Sequence, residues 1–547
     1  MPKMSGGEAV VRSLVAEGID VVFGLPGVQI MSIYDAFYDN PDIRVITCRH
    51  EQTTTYMADG YARSTGKIGV ALVVPGPGAY NAAAGLSDAF ATSAPVLLIS
   101  GQIESDEIGK DFGQLHEISD QLQFMKPVVK WNDLVTDVQA IPETIHEAMK
   151  QIRTGRPRPV EIEIPPDTLS SVAEIELIEP ESWQRLKPSV SLISAAADLL
   201  TTAKRPLIWA GGGVNLSGAS TELTQLAELI EAPVISTAEG KGAINENHPL
   251  SMGTTAYAWG PGVELFPSAD VILAVGSRLG SYRPEIGTSP RSDQKLINMN
   301  VDESEFGKTM DAEIGIPADA KEGLGMLVTA LAGRSINNEW GKEALQNIKS
   351  RTKAKIKAAG PIQVELVESI REAMPEDGFI VGGITNIGAW SYLAYPAMKE
   401  RTFITSSYMG NLGFGFPTAL GVKVGNPDKA VVALTGDGGF AYAMADLATA
   451  VQYDINLVTV IFNNGGYGAS YRDQHRRFSG RLVGTELHNP DFVKLAESFG
   501  AKGVKVSDLG AVESAIVDSI RASAPTVIEV ELPPELDPPY YLTQPAV

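Results

Sequence analysis

The chain has 547 residues, of which 44% are hydrophobic and 20% charged, and its formal net charge is −22. This length predicts several domains, because single cores rarely grow beyond about 250–300 residues. The negative charge argues against a nucleic-acid partner, which requires a basic face. One cysteine, Cys48, excludes an intrachain disulfide framework, and no apolar run reaches the ~18–20 residues that cross a bilayer. The N-terminus lacks an apolar signal segment, so we expect a soluble, cytoplasmic protein without a membrane partner.

Short apolar runs alternate with helix-length segments along the chain, which is typical of parallel α/β sheets. We predict three α/β domains with mainly parallel sheets, at residues 1–175, 190–335 and 360–547, with candidate linkers at 164–171 and 334–360. The predicted strands are 20–24, 43–47, 68–74, 95–100, 206–213, 233–237, 270–276, 295–302, 378–383, 431–436, 456–462 and 526–532.

The strand predicted at 431–436 runs into a Gly-Asp-Gly-Gly turn, and the next predicted strand is followed by two asparagines. Ligands of open parallel sheets bind beyond the carboxyl ends of the strands, so Asp437 and Asn464 should lie close together. A carboxylate and an amide oxygen beside phosphate are ligands that Mg²⁺ prefers. The glycines, which permit a tight turn and expose N–H groups to phosphate, are Gly436, Gly438 and Gly439. The pattern predicts a magnesium diphosphate site, although Gly-Asp-Gly alone also occurs in ordinary strand-to-helix turns.

The motif GDGGF…NNGGYG resembles that of thiamin-diphosphate enzymes, and the resemblance extends over the whole chain to the acetolactate synthase-like branch. It implies a pyrimidine-binding domain and a diphosphate-binding domain that flank a Rossmann-like middle domain. The stretches that carry the resemblance are VFGLPG (22–27), RHEQTTTYMADGYAR (49–63), PGPGAYNAAAGLSDA (75–89), APVLLISGQ (94–102) and GNLGFGFPTALG (410–421).

The resemblance implies the residues that hold the cofactor. Asp437, the side chain of Asn464 and the backbone carbonyl of Gly466 would bind Mg²⁺ against the diphosphate. Leu412 matches the apolar wedge that bends thiamin diphosphate, a position that an ordinary core leucine fits equally well. The carbonyl of Gly410 would accept a hydrogen bond from the 4′-amino group. The other implied cofactor contacts are Thr385, Asn386, Gly436, Gly438, Gly439 and Tyr467.

Glu51 matches the glutamate that binds N1′ of the aminopyrimidine in this family, where it promotes formation of the C2 carbanion. A mostly buried carboxyl group can carry a raised pKa and share a proton in this way. Without the diphosphate motif, Glu51 would be interpreted as an ordinary acid at a helix N-terminus, and we interpret His50 as structural and Cys48 as a core residue. Because Glu51 and Asp437 meet across subunits in this family, we expect a homodimer at minimum and a homotetramer as the assembly.

The resemblance implies a transferase or lyase that acts on a small 2-oxo acid or related carbonyl compound through the carbanion and an enamine. The loops at 26–30 and 75–80 lack the histidines of pyruvate and benzoylformate decarboxylases, and Gln29 stands where a benzaldehyde lyase-like pocket has histidine. Carboligation is therefore favoured over simple decarboxylation. A catalytically silent assembly subunit is disfavoured, since it would not need Glu51, Leu412, Asp437 and Asn464 together.

Several segments depart from acetolactate synthases. His116 and Glu117, followed by Asp-Gln, resemble a segment of oxalyl-CoA decarboxylases; they are candidates for the later proton transfer, or polar loop residues. Alternative activities are an oxalyl-CoA decarboxylase or 2-hydroxyacyl-CoA lyase-like reaction on a thioester, or carbon–carbon hydrolysis of a cyclic dione. The arginine-rich segment 467–481 would either close over an anionic substrate or form a solvated surface.

Glycine-rich residues 209–218 and the segment 295–308 resemble the nucleotide-binding middle domain of the family. That domain holds FAD in acetolactate synthases and an ADP moiety in CoA-dependent relatives, and in other relatives it is empty. Arg278 matches an arginine that holds substrate or flavin. A glycine-rich strand end alone does not decide among these alternatives.

Overall fold

The structure is a computed structural model that describes residues 2–280, 291, 293–336, 338–533 and 536–542. Within these residues the chain forms three six-stranded parallel sheets and one two-stranded antiparallel pair. Each of the strands predicted from apolar runs is present, and the prediction of an α/β fold with parallel sheets is confirmed. Among the helices of the described residues, none is both long and apolar enough to cross a membrane.

The N-terminal sheet has the strand order β3-β2-β4-β5-β7-β6, and β1 pairs separately with β8. The strands of this sheet and of the separate pair are β1 (Lys3–Ser5), β2 (Val21–Gly24), β3 (Arg44–Thr47), β4 (Gly69–Val73), β5 (Val96–Gly101), β6 (Trp131–Leu134), β7 (Val160–Ile164) and β8 (Val172–Glu174). The helices are α1 (Gly6–Ala16), α2 (Met31–Tyr38), α3 (Glu51–Thr65), α4 (Pro77–Thr92), α5 (Gln121–Met125), α6 (Ile141–Arg153) and α7 (Pro166–Ser170).

The middle sheet has the order β11-β10-β9-β12-β13-β14. Its strands are β9 (Pro206–Ala210), β10 (Val234–Ser236), β11 (Ser251–Thr254), β12 (Val271–Val275), β13 (Lys295–Asn300) and β14 (Ile314–Pro317). The helices are α8 (Val190–Thr202), α9 (Gly212–Ser217), α10 (Ser220–Leu229), α11 (Gly262–Ser268) and α12 (Ala320–Leu331).

The C-terminal sheet has the order β16-β15-β17-β18-β20-β19. Its strands are β15 (Phe379–Gly382), β16 (Phe403–Thr405), β17 (Val431–Gly436), β18 (Val458–Asn463), β19 (Lys502–Val506) and β20 (Thr526–Glu531). The helices are α13 (Lys342–Ala359), α14 (Pro361–Ala373), α15 (Asn386–Ala394), α16 (Gly415–Gly425), α17 (Asp437–Ala441), α18 (Leu447–Gln452), α19 (Gly468–Arg477), α20 (Phe492–Phe499) and α21 (Val512–Ala522).

The linker predicted at 164–171 is wrong. These residues complete β7 and form α7, which packs on α1 and α2, because Thr168 and Leu169 after the Pro-Pro pair are buried. The chain without helix or strand instead runs from 175 to 189. The second predicted linker, 334–360, is largely the helix α13.

The order of the strands creates a switch point in each sheet, where consecutive connections leave in opposite directions and open a crevice. The switch lies between β2 and β4 in the first sheet, between β9 and β12 in the second and between β15 and β17 in the third. The loops predicted to be functional from the sequence follow these strands. Topology therefore concentrates the candidate chemistry at the carboxyl edges of the sheets.

The N-terminal and C-terminal domains pack through α3 and α16. A methyl group added to Gly60 would overlap the carbonyl oxygen of Thr418, and one added to Gly421 would overlap that of Met57. The two helices therefore approach at backbone distance, and glycine is required at both positions. This packing buries most of α3, the helix that begins at Glu51.

Candidate active site

Two helix N-termini lie beside each other at the switch point of the C-terminal sheet. Gly436 precedes α17 and Thr385 precedes α15, and neither N-terminus is capped by a side-chain hydrogen bond. A Cβ on Gly436 would lie 3.6 Å from Oγ1 of Thr385, so the two turns are in van der Waals range. Uncapped backbone N–H groups and the positive ends of helix dipoles favour an anion such as a diphosphate.

Asp437 supplies a carboxylate at the start of α17, where its side chain is only 2% exposed. Burial raises the pKa of Asp437, and the Asn489 amide together with the backbone N–H groups of Gly438 and Gly466 partly offsets this rise. The described part of the chain has no cluster of three or more acidic, histidine or cysteine ligands. A metal here would therefore combine one carboxylate with amide, carbonyl and phosphate oxygens, which suits Mg²⁺.

Asn489 connects the tips of the two strands. Its Nδ2 donates to Oδ2 of Asp437 at 2.6 Å and to Oδ1 of Asn463 at 3.1 Å, and Asn463 in turn donates to Glu529 at 2.8 Å. The motif did not predict Asn489, because it lies in a loop well after the asparagine pair. Only its Asn-Pro-Asp sequence, typical of a turn before a helix, marked the position.

The turn after β18 is shaped by close contacts at glycines. A Cβ on Gly438 would lie 2.6 Å from the ring of Tyr467, so this ring covers the Gly-Asp-Gly turn. A Cβ on Gly466 would lie 2.5 Å from the carbonyl of Thr485, and Asn464 packs its amide against Gly468. The structure thus brings Gly438, Gly466 and Tyr467 to Asp437, whereas Asn463 is linked to it through Asn489.

Asn386 lies at the first turn of α15, next to Thr385. Its Nδ2 donates to the carbonyl of Leu536 at 2.8 Å, and its Oδ1 is buried without a hydrogen-bond partner among the described residues. The carbonyl of Asp537 accepts from Trp390 at 3.0 Å. The C-terminal segment 536–542 is therefore attached to the predicted diphosphate loop.

Glu51 is the first residue of α3, at the carboxyl edge of the N-terminal sheet. Its Oε2 accepts a hydrogen bond from Nδ2 of Asn81 at 3.0 Å, and its Cγ would lie 3.7 Å from a Cβ on Gly78. The half-buried carboxyl group thus sits beneath the Pro-Gly turn that begins α4. His50 caps α3 by accepting from the N–H of Gln52 at 3.2 Å, in agreement with the structural role predicted for it. Asn81 was not predicted.

Gln29 and His116 form one wall beside this turn. Gln29 is 7% exposed; its Nε2 donates to the carbonyl of Leu115 at 3.1 Å, and its buried Oε1 has no partner among the described residues. His116 has a φ of 72° and packs its carbonyl over Gly76, which leaves no room for a Cβ there. Nδ1 of His116 is also buried without a described partner. Two buried polar atoms of this wall, Oε1 of Gln29 and Nδ1 of His116, therefore have no described hydrogen-bond partner, which is unusual for buried groups.

Glu117 folds back onto its own loop. Its Oε2 accepts from the N–H of Gly113 at 2.7 Å and from that of Gln114 at 2.9 Å. These backbone donors, chiefly Gln114, lower the pKa of Glu117, so the carboxylate stays ionised. An ionised loop cap is poorly suited to donate a proton at neutral pH.

The loop 406–412 carries Gly410 and the half-buried Leu412, and it is fixed to α4 of the N-terminal domain. Nδ2 of Asn411 donates to Oδ2 of Asp88 at 2.7 Å and to the carbonyl of Ala84 at 3.0 Å. Gly410 has a φ of 62°, and the space around its α-carbon is open. Both predicted cofactor contacts therefore project from a loop that buried hydrogen bonds hold in place.

The middle domain borders a cavity of about 1400 Å³ that reaches the switch point of its sheet. Arg278 projects beside Tyr408, with the guanidinium 5.1 Å from the ring, and lies 3.5 Å from Glu305. Burial and repulsion from Arg158 and Arg278 lower the pKa of Arg156 to about 10. Half-buried arginines near this cavity could contact an anionic group, although Glu305 already pairs with Arg156 and Arg278, and the cavity is large enough for a nucleotide.

A carboxylate and two bare helix N-termini at one sheet edge, with a glutamate beneath a glycine turn at another, are the features of an enzyme that binds a diphosphate cofactor. The chain belongs to the thiamine pyrophosphate enzyme family. Residues 4–124 match the family's N-terminal TPP binding domain, 193–327 its central domain and 383–530 its C-terminal TPP binding domain. Thiamine pyrophosphate (TPP) is thiamin diphosphate, so the resemblance read from the motifs is confirmed.

Relatives align over nearly the whole chain. A probable acetolactate synthase large subunit of Methanocaldococcus jannaschii is 35% identical over 97% of this chain and 92% of its own length. The acetolactate synthase isozyme 3 large subunit of Escherichia coli is 32% identical over 95% and 93%, respectively. A probable 2-ketoarginine decarboxylase of Pseudomonas aeruginosa is 32% identical over 96% and 94%. The chain is therefore a TPP-dependent enzyme that forms or cleaves carbon–carbon bonds and acts on small molecules.

Proposed function

We propose that this chain is a TPP- and Mg²⁺-dependent carboligase of 2-oxo acids, as the acetolactate synthase names of its relatives suggest. The observation that carries the proposal is the buried carboxylate of Asp437 between two uncapped helix N-termini. When bound, thiamin diphosphate would supply the nucleophilic carbon needed to decarboxylate a 2-oxo acid and to transfer its acyl unit to a second carbonyl. The protein must hold this cofactor, shield it from water and manage one proton at the pyrimidine.

The residues present fit the cofactor. Asp437 and Asn464, with the carbonyl of Gly466, would hold Mg²⁺, while Thr385 and the N–H groups of α15 and α17 would hold the diphosphate. The unpartnered Oδ1 of Asn386 adds an acceptor beside them. Other residues at this end are Gly436, Gly438, Gly439 and Tyr467, and those at the pyrimidine end are Gly410, Leu412 and Glu51. Glu51 would hold a proton at the pyrimidine N1′, with Asn81 fixing its second oxygen.

The wall formed by Gln29 and His116 would face the substrate. An amide at position 29 does not donate a proton to a carbanion at neutral pH, which favours attack on a second carbonyl. His116 favours a second candidate function, simple decarboxylation, because its Nδ1 has no hydrogen-bond partner within the described part of the chain and imidazole can supply a proton. Glu117 is held ionised in its loop, so its predicted role in proton transfer is the weakest of this group.

We also propose a homodimer as the minimal unit and a homotetramer as the assembly. Large apolar side chains are exposed around the carboxyl edges of both the N-terminal and C-terminal sheets. They are Val28, Met31, Phe112, Leu115, Ile384, Met409 and Tyr442. A second copy that covers these patches would bring Glu51 of one chain to Asp437 of the other.

Sedimentation of Leu115→Asp tests this assembly. We expect the charged side chain to dissociate the oligomer and weaken TPP binding. The matched control is Tyr38→Asp, at the far end of α2 and 90% exposed, which should change neither property. A wild-type monomer that binds TPP fully would refute the assembly.

The middle cavity would take FAD or the ADP moiety of a CoA thioester. Its arginines support either ligand, and the second would favour the oxalyl-CoA decarboxylase or 2-hydroxyacyl-CoA lyase-like alternative. Chromatography of the supernatant after heat denaturation identifies any nucleotide that copurifies. Purified protein that holds none and binds neither FAD nor CoA in titrations would contradict this assignment.

Proton NMR of pyruvate incubated with the protein, TPP and Mg²⁺ tests the reaction. Acetolactate is the expected product. Acetaldehyde alone would support the decarboxylase, and loss of that product in His116→Ala would assign the proton. Untouched pyruvate, with TPP binding shown separately, would overturn pyruvate as donor and lead to tests of acyl-CoA thioesters and cyclic diones. Glu51→Gln should retain TPP but slow the reaction by about 10²–10⁴-fold.

A further inference from the structure

The segment that follows the Gly-Asp-Gly motif is bonded to the segment that leads into Glu51. The N–H of Thr47 donates to the hydroxyl of Tyr453 at 3.0 Å, and the hydroxyl oxygen of Thr449, which bonds Asp446, also lies 3.0 Å from the carbonyl oxygen of Thr47. The amide of Gln52 donates to the carbonyl of Tyr442, also at 3.0 Å. Residues 442–453 of the C-terminal domain therefore hold residues 47–53 of the N-terminal domain within one chain.

Asp446 lies at the centre of these contacts and is fully buried. Its Oδ1 accepts from the N–H of Arg49 at 2.7 Å and from the hydroxyl of Thr449 at 2.9 Å. Its Oδ2 accepts from the hydroxyl of Thr53 at 2.6 Å. Arg49 and Thr53 stand two positions before and two positions after Glu51. The carboxylate thus bridges the two sides of the helical turn that carries Glu51.

A buried carboxylate is expensive unless its oxygens are satisfied, so its presence between two domains requires a compensating arrangement. Burial raises the pKa of Asp446, and the bonds from Thr53, Arg49 and Thr449 counter that rise. An apolar residue would pack the same interface without this demand. The carboxylate instead fixes the direction of the chain at the start of α3, because its acceptors impose distances and angles that apolar packing does not.

We propose that Asp446 is a positioning residue for Glu51. It fixes the first turn of α3 so that the Glu51 carboxyl group stays beside Asn81 and faces the pyrimidine of the cofactor. The inference rests on the proposed function, in which Glu51 holds the proton at N1′. Displacement of a catalytic group by about 1 Å can slow a reaction by up to about 10²-fold, so small shifts of this turn matter.

The rate of deuterium exchange at the thiamin C2 position tests the inference without a substrate. The measurement uses full-length protein loaded with TPP and Mg²⁺ in D₂O, quenched with acid and read by proton NMR. Asp446→Asn should slow the exchange by about 10-fold or more. The dissociation constant of TPP, from fluorescence titration, should change less than about twofold, because Asp446 does not face the diphosphate end.

Two further variants separate positioning from general stability. Thr53→Val removes the donor on the Glu51 side and should slow the exchange in the same direction, by a smaller factor. Thr65→Val is the matched control, since its hydroxyl donates within α3 to the carbonyl of Tyr61 at 2.6 Å, in the last turn of the helix and away from both Glu51 and Asp446. Amide hydrogen exchange of the cofactor-free protein should rise at residues 47–53 in Asp446→Asn and Thr53→Val but not in Thr65→Val.

Failure of the inference differs from failure of the proposed function. If Glu51→Gln leaves C2 exchange unchanged, the proposed catalytic role of Glu51 is refuted, and the positioning role of Asp446 is refuted with it. If Glu51→Gln slows the exchange while folded Asp446→Asn does not, only the positioning role is overturned. Equal losses of TPP affinity and exchange rate in Asp446→Asn would also overturn it. If Asp446→Asn does not fold, Thr53→Val decides by the same readouts.

Discussion

Replacement of Asn489 by alanine should weaken Mg²⁺ binding although Asn489 is not a predicted ligand. Its amide is the side-chain donor to Asp437, at 2.6 Å, and it also bonds Asn463 at 3.1 Å. Truncation leaves the carboxylate of Asp437, only 2% exposed, without this partner and free to rotate away from the metal position. The substitution therefore changes the orientation of the proposed metal ligand, Asp437, and does not remove the ligand itself.

The size of the effect follows from the bonds removed. A hydrogen bond to a charged group contributes about 1.5–3 kcal/mol. Substitution of residues that orient metal ligands typically weakens metal affinity by about 10–100-fold, which is the same range of free energy. We therefore expect the dissociation constant of Mg²⁺, measured by calorimetry on TPP-saturated Asn489→Ala, to rise by about 10–100-fold.

Asn456→Ala is the matched control for this experiment. Asn456 lies in the same domain, is half-buried and donates a long, solvent-exposed bond of 3.4 Å to Ser523, so its loss should leave Mg²⁺ affinity within about twofold. If Asn489→Ala also stays within twofold of the wild type while remaining folded, the link from Asn489 through Asp437 to the metal is refuted.

Three further outcomes are expected. Chelation of Mg²⁺, or Asp437→Ala, should abolish tight TPP binding in a fluorescence titration, and unchanged affinity would exclude a metal-bridged diphosphate. Gly421→Ala should lower the free energy of unfolding, measured in urea, by about 1–3 kcal/mol because the added methyl group overlaps the carbonyl of Met57. Its control is Gly325→Ala in α12, where the space is open, and this change should raise the free energy of unfolding by about 0.5–1 kcal/mol. Burial raises the pKa of Glu163 to about 7, so between about pH 4.5 and 7 the folded state binds more protons than the unfolded state. The free energy of unfolding should therefore fall as the pH rises through this range, and it should fall less in Glu163→Gln.

The sequence predicted the strands well where burial on both faces makes them continuous apolar runs. The strand β7 was missed because its sequence, Val-Glu-Ile-Glu-Ile, interrupts the run with Glu161 and Glu163. In the structure β7 lies between β5 and β6, and both glutamates are buried with polar partners, Ser100 and Gln102 among them. Periodicity cannot show that a glutamate on a strand faces the interior, because the compensating donors come from other strands.

The same limit applies to the site. Asp437 was predictable because the glycines beside it in the sequence impose the turn that exposes it. Asn81, Asn489 and Asp446 were not, because each acts on a residue that is distant in the chain, through side-chain bonds that only the packed domains create. No local sequence pattern distinguishes such an asparagine or aspartate from the many asparagines and aspartates that face solvent in loops.

The short segment from Asp437 to Tyr453 combines both kinds of residue. Its first carboxylate, Asp437, would face the proposed metal and is predicted directly by the motif, whereas its second, Asp446, faces the other domain and bonds the turn that carries Glu51. Both carboxylates are buried, and both accept hydrogen bonds from side-chain and backbone donors. One stretch of backbone would therefore contribute to the proposed metal end of a cofactor and to a pyrimidine end. The two ends of the stretch are restrained separately, because Asn489 bonds Asp437 whereas Arg49 and Thr53 bond Asp446.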